Sequence, residues 1–168
     1  MLSVGRRTRQ AQTTANGPYY AEPSWDQTLP AATRFIVLSN FAGAAVLDRE
    51  TGLVWEKSPA TTTHIWIDAR FECTSRTTDG RKGWRLPSVH QLASLVDPSV
   101  ASPGPTLPPG HPFTNVPSFA FYWSATTFAE NPTFALIVGF SFGKVGNHGK
   151  SNGTPVWCVR GGMNADQY

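Results

Sequence analysis

The sequence is poor in charge, with only 15% of its residues being Asp, Glu, Lys or Arg. It lacks any apolar run of about eighteen residues, so no segment is suited to cross a bilayer as a helix. Cysteine is limited to Cys73 and Cys158, neither with a second cysteine nearby, and His64, His90, His111 and His148 are scattered without paired spacing. That pattern argues against a zinc site. Acid is scarcest toward the C terminus, where between Pro98 and Tyr168 only Glu130 and Asp166 carry carboxylates. A calcium site in those loops would lack its strongest oxygen ligands, and no cofactor is expected. Basic runs are missing as well. Arg6, Arg7 and Arg9 match the net charge of +3, which leaves the remainder near neutral and without the stripe a nucleic-acid partner needs. The opening MLSVGRRTRQAQTTANG has arginines but no apolar core of about seven residues behind them, so it does not read as a signal peptide.

What the chain has is turn formers and aromatics: 15 glycines, 14 prolines and 12% Phe, Trp and Tyr, which favour short strands over a helical bundle. Its 168 residues suffice for one domain with a real core. Residues 1–33 are polar, broken by Pro18, Pro23 and Pro30, and show no periodicity, so they read as an N-terminal arm. The arm is either a flexible tail or a segment that mediates assembly of a homo-oligomer through Tyr19, Tyr20 and Trp25. Residues 34–168 form the domain. FIVL, AVLD and LVWEK read as strands, followed by a helix in which Trp66, Ala69 and Cys73 share one face and Thr62 or Thr63 serves as cap. WRLP is extended, because proline disfavours helical geometry in the residue before it. Ser88 with Gln91 three residues later is a capping-box pattern, and Val89, Leu92, Leu95 and Val96 give the next helix one apolar face. A long irregular surface loop follows to Ser118. FYWSAT, FALIVGFS and PVWCVR read as three more strands, the last two joined by an elaborated hairpin, FGKVGNHGKSNGT.

In that order TGLVWE, Trp66-x-x-Ala69-x-x-x-Cys73, GWRLPSVHQLASLVD, YWSAT, GFSFGKV and WCVRGG resemble the C-terminal domain of the Legionella collagen-like adhesin and its bacterial relatives, over about residues 45–162. The resemblance implies an α+β fold related to the C-type lectin-like group, with short antiparallel strands, two helices and long irregular loops. Fold alone does not choose between binding and catalysis in that group. It also implies an adhesin-like setting and the option of an oligomer. One departure is Gly139, where relatives often carry an acidic residue.

Cys73 on an inner helix face and Cys158 in the terminal strand could form a disulfide, or remain two buried thiols. A disulfide would imply an oxidising compartment and thus an extracellular or cell-surface protein. Arg85 of GWRLP fits a structural corner better than a catalytic role, its guanidinium binding carbonyls or a carboxylate, with Pro87 leading into the helix and Trp84, Trp123, Trp157 and Trp55 as core. No GxSxG or HExxH pattern occurs, and Asp48, Glu56, Asp68 or Asp97 would have to meet in space to make a hydrolytic pair. An enzyme is therefore not expected. The candidate ligand-binding residues are Lys144, Asn147, His148, Lys150, Ser151 and Asn152, placed on a hairpin tip where cations, amides and hydroxyls suit an acidic glycan or a polar protein surface. Phe119, Phe121 and Tyr122 add an aromatic platform. The expectation is a calcium-independent ligand-binding domain; the alternative is a structural subunit of a filament, fibre or phage particle.

Overall fold

The computed structural model describes residues 29–161, so the expectations for Tyr19, Tyr20 and Trp25 lie outside the described residues. The packed chain is already present at its first described residues: the Leu29 amide donates to Glu50 Oε1 at 2.6 Å, and Ala31 and Arg34 are buried. A one-turn helix α1 (Ala31–Arg34) leads into β1 (Phe35–Val37), then β2 (Ala45–Asp48) and β3 (Leu53–Glu56) form a hairpin with Val46 opposite Trp55. The runs FIVL, AVLD and LVWEK thus do form strands, as their β-branched and aromatic content requires.

Thr63 does not cap the next helix. Thr63 and His64 form β4 (Thr63–His64), which pairs with β9 (Thr154–Pro155), so the chain stays extended until Ile65 and helix α2 (Trp66–Ser75) starts without a side-chain cap. Its free first amide, that of Trp66, donates instead to the Lys150 carbonyl at 3.0 Å. Ala69 and Cys73 face inward as their spacing predicts. β5 (Trp84–Arg85) follows, and then α3 (Val89–Ala93), whose capping box between Ser88 and Gln91 is complete. Leu92 and Leu95 reach the core behind it.

Two antiparallel sheets carry the fold. The first has the order β1-β2-β3-β10-β5, with β10 (Val159–Arg160) inserted between β3 and β5. The second is β6 (Phe121–Thr127), β7 (Phe134–Gly139) and β8 (Lys144–Gly149). PVWCVR is not one strand. Pro155 ends β9, and the chain then crosses to the other sheet, held by mutual backbone bonds and by the Cys158 amide on Glu56 Oε2 at 3.0 Å. Trp157, inside this crossing, packs against Phe113, Tyr122, Phe140 and Trp55 with ring centroids 5.0 to 5.9 Å apart. Each such pair adds about 0.5–1.5 kcal/mol beyond area burial. The indole Nε1 reaches the Glu56 carbonyl at 2.9 Å, so this central ring is also satisfied as a donor.

A second cluster gathers Ala69, Trp84, Leu86, Trp123, Val156 and a disulfide between Cys73 and Cys158, which fastens α2 to the last strand. The segment from Pro98 to Ala120 contains no strand or helix, yet it is pinned: Thr106, Leu107 and Phe113 are buried, and the Thr106 amide and hydroxyl both donate to the Phe140 carbonyl. Gly104 is required there, since a Cβ would stand 2.1 Å from the Phe140 oxygen. Much of that segment is core filling.

Candidate functional site

The GWRLP corner resolves first. Arg85 Nη1 donates to Gln91 Oε1 at 2.8 Å and to the Leu86 carbonyl, and Nη2 donates to the Gly161 carbonyl at 2.6 Å. Trp84, Leu86 and Pro87 are buried, and the Pro87 carbonyl accepts from the Ala125 amide at 2.7 Å. The planar donor fork thus ties β5, α3 and Gly161, just after the last strand, together.

Hydrolysis would need two carboxylates to meet, and the four candidates have different surroundings. Asp48 and Glu56 occupy opposite ends of the β2–β3 hairpin, the first opposite Leu53 and the second opposite Ala45. Asp48 takes a bidentate pair from Arg34, while Glu56 pairs with Arg76 at 3.1 Å. Asp97 accepts from the amide and hydroxyl of Ser99, and Asp68 stands exposed on α2. Burial raises the Glu56 pKa, an effect that Arg76 and the Cys158 amide oppose and Glu72 reinforces. Among the described residues no three His, Cys, Asp or Glu side chains gather as metal ligands.

The six residues expected on a hairpin tip are not on one. Lys144, Asn147 and His148 belong to β8, paired along its whole length with β7, because the Val, Gly and His of this run accept extended geometry. Lys150, Ser151 and Asn152 lie in the short turn that follows, closed by the Asn152 amide on the Gly149 carbonyl. Lys144 and Lys150 are therefore separated by the length of a strand, about 20 Å at 3.3 Å per residue. His148 packs its ring on Phe121 and Trp123, and Lys144 lies 5.9 Å from the Phe142 ring. Of the aromatic platform, Phe119 and Phe121 are exposed and Tyr122 is core; the first two line an apolar groove of about 380 Å³ with Pro117 and Pro155.

Lys150 alone of the six enters a distinct constellation. Its Nζ lies 4.0 Å from the centroid of Trp66 and donates to Thr127 Oγ1 at 2.8 Å. Arg70, one helical turn beyond Trp66 on α2, places its guanidinium carbon 5.0 Å from the same ring. The indole between them is fixed by its Nε1 bond to the Ser124 carbonyl at 2.8 Å. Neither cation has an ion pair with a carboxylate among the described residues. Partial desolvation, and secondarily repulsion from Arg70, lower the Lys150 pKa. Beside them runs a groove of about 530 Å³ lined by Ile67, Asp68, Arg70, Phe71, Thr74, Leu86 and Ala125. Ile67 and Phe71 are 59% and 73% exposed on its rim, an apolar stripe facing outward from a helix whose opposite face holds the disulfide. Two cations braced on one rigid ring beside apolar surface suit an anion with an apolar flank. Trp66 was assigned to structure from its sequence, and Arg70 was not singled out. The Trp-x-x-x-Arg spacing was visible, but its junction with Lys150 depends on how β8 meets α2.

A family model, the Lcl C-terminal domain, matches residues 44–160. The chain belongs to that family. The match coincides with the resemblance drawn from GWRLP and its flanking runs, and no curated protein matches the chain. The platform of Trp66, Arg70 and Lys150 and both halves of the disulfide fall inside the Lcl segment, whereas α1 and β1 precede it.

Proposed function

We propose that this Lcl-family domain is an adhesin-like, surface or extracellular ligand-binding module of C-type lectin-like fold, which recognises an acidic glycan without calcium and catalyses no reaction. The observation that carries the reading is the pair Arg70 and Lys150 held against Trp66 with no carboxylate among the described residues to compensate it. A sulfate or carboxylate gains charge-assisted bonds from both, while Ile67 and Phe71 offer apolar surface to a sugar ring. The disulfide supports the extracellular setting, since such bonds persist in oxidising compartments. The separate partners of Asp48, Glu56 and Asp97 support the non-enzymatic half.

A glycan array probed with the full chain tests this. Sulfated or carboxylated glycans should bind, unchanged by chelator and weakened by salt. Arg70→Ala with Lys150→Ala should lower binding at least tenfold, whereas Lys144→Ala should leave it within twofold. Equal loss in the double variant and in Lys144→Ala, or binding that needs calcium, would refute the proposed site.

A further inference from the structure

The three-stranded sheet has one covered edge and one open edge. At β6 two backbone groups on the side away from β7 are in use: the Ala125 amide donates to the Pro87 carbonyl and the Ser124 carbonyl accepts Trp66 Nε1. A register shift between Trp123 and Thr127 further bends that strand. At β8 the direction of each residue follows from its neighbours. The Lys150 amide bonds to the Thr133 carbonyl, while the Phe128 and Phe140 amides bond to Phe134 and Ala120. Residues 133, 135, 137 and 139 of the β7 run therefore serve β8, and 134, 136, 138 and 140 serve β6. Through the register, Lys144, Gly146 and His148 turn their backbone groups inward. Val145 and Asn147 turn theirs outward, as does the Gly149 amide, and the described residues supply these no partner. Of the usual blocks to pairing the strand carries only Lys144, its first residue; it has no proline and no bulge, and a glycine stands in its middle. The other sheet's edges, β1 and β5, are only three and two residues long.

Charge selects the occupant. From Asn131 to Gly161 the chain has no Asp or Glu, whereas Lys144 opens the strand. A second copy paired edge to edge through β8 would bring the same lysine and no acid from this segment to meet it. We infer that β8 is a strand-addition site for an extended, acidic segment of another protein, its main chain bonded to Val145 and Asn147 and a carboxylate placed at Lys144. Val145, 53% exposed, and Phe142, 65% exposed, offer apolar contact beside that ladder.

The probe is a fluorescein-labelled peptide, Glu-Thr-Val-Thr-Val-Thr-Glu, titrated into the full chain and followed by anisotropy. N-methylating one alternate set of its amides should weaken binding at least tenfold, and methylating the other set should change it less than twofold, because only one edge of an added strand is used. Asn147→Pro removes an outward amide and spares the inward ladder, so it too should cost at least tenfold. Replacing both peptide glutamates by lysine should do the same. No binding, or equal binding by the two methylated peptides, overturns the inference. So does sedimentation showing that the chain pairs with its own copy and that Asn147→Pro dissolves the pair. The array on Trp66, Arg70 and Lys150 reads a separate site, so either reading can fail alone.

Discussion

Two arginines of this molecule have opposite surroundings. Arg34 is fully buried, with Nε and Nη2 on both oxygens of Asp48, Nη2 also on the Ser94 carbonyl, and Glu50 at 3.1 Å. Arg70 is partly exposed, rests on Trp66 and meets another cation instead of an acid. Removing a charge from water costs several kcal/mol, so a buried guanidinium persists only when its charge is matched. A guanidinium at the surface meets no such demand. The same residue type is structural in the first place and available to a ligand in the second, and neutralisation is the difference.

Breaking the buried side should give the largest effect. Arg34→Met leaves Asp48 and Glu50 buried without their cation, and a loss of about 5 kcal/mol is expected, at the upper end for a broken buried pair. Denaturant unfolding would measure it, and a loss under 1 kcal/mol would mean that the corner is not neutralised as described. Next comes the tether beneath the exposed side. Cys73→Ala with Cys158→Ala releases a crosslink between residues 85 apart in sequence, which should cost about 4 kcal/mol by loop-closure entropy. The reduced wild type should fall with it. If the double variant unfolds at the wild-type midpoint, α2 is held by packing alone.

How far the sequence reveals each side depends on how local its cause is. The capping box at Ser88, the inward face of Ala69 and Cys73, and the extended geometry before Pro87 rest on neighbours within one or two turns, and all are legible. The cap on α2 was misplaced because Thr63 is claimed by Pro155, more than ninety residues away. The hairpin tip was misplaced for a similar reason. Glycine and asparagine mark turns statistically, yet a ready partner in β7 draws Lys144–Gly149 into a strand. The site lay within reach only in part: Lys150 stood out as a cation, but nothing local tells that it lands on Trp66 beside Arg70.

A smaller effect separates matched from unmatched charge on the pH axis. Burial holds the Glu56 pKa above its ordinary 4.5 despite Arg76. Between 4.5 and the folded value the native state binds more protons than the unfolded one, so stability rises as pH falls through that window and is lost as pH rises through the folded pKa. Glu56→Gln keeps an acceptor for the Cys158 amide and removes the titration. The difference in unfolding free energy between wild type and variant should therefore shift toward the wild type on going from pH 7 to about pH 4.5. A difference that stays constant, or shifts the other way, would show that Arg76 outweighs burial.

The smallest stability effect is expected where the binding effect is large. Lys150 has a lowered pKa, so its protonated form is disfavoured in the native state by desolvation and by Arg70. Lys150→Met keeps most of the stem over Trp66 and removes the charge, and its unfolding free energy should stay within about 0.5 kcal/mol of wild type. At low salt the change should lean toward stabilisation, because repulsion from Arg70 disappears; at high salt that lean should vanish. Thermal melts at two ionic strengths would measure both. A loss of 2 kcal/mol or more at either salt would mean that Lys150 is held for the fold, as Arg34 is, and would remove the physical reason for treating the cation pair as a place where a ligand completes the charge balance.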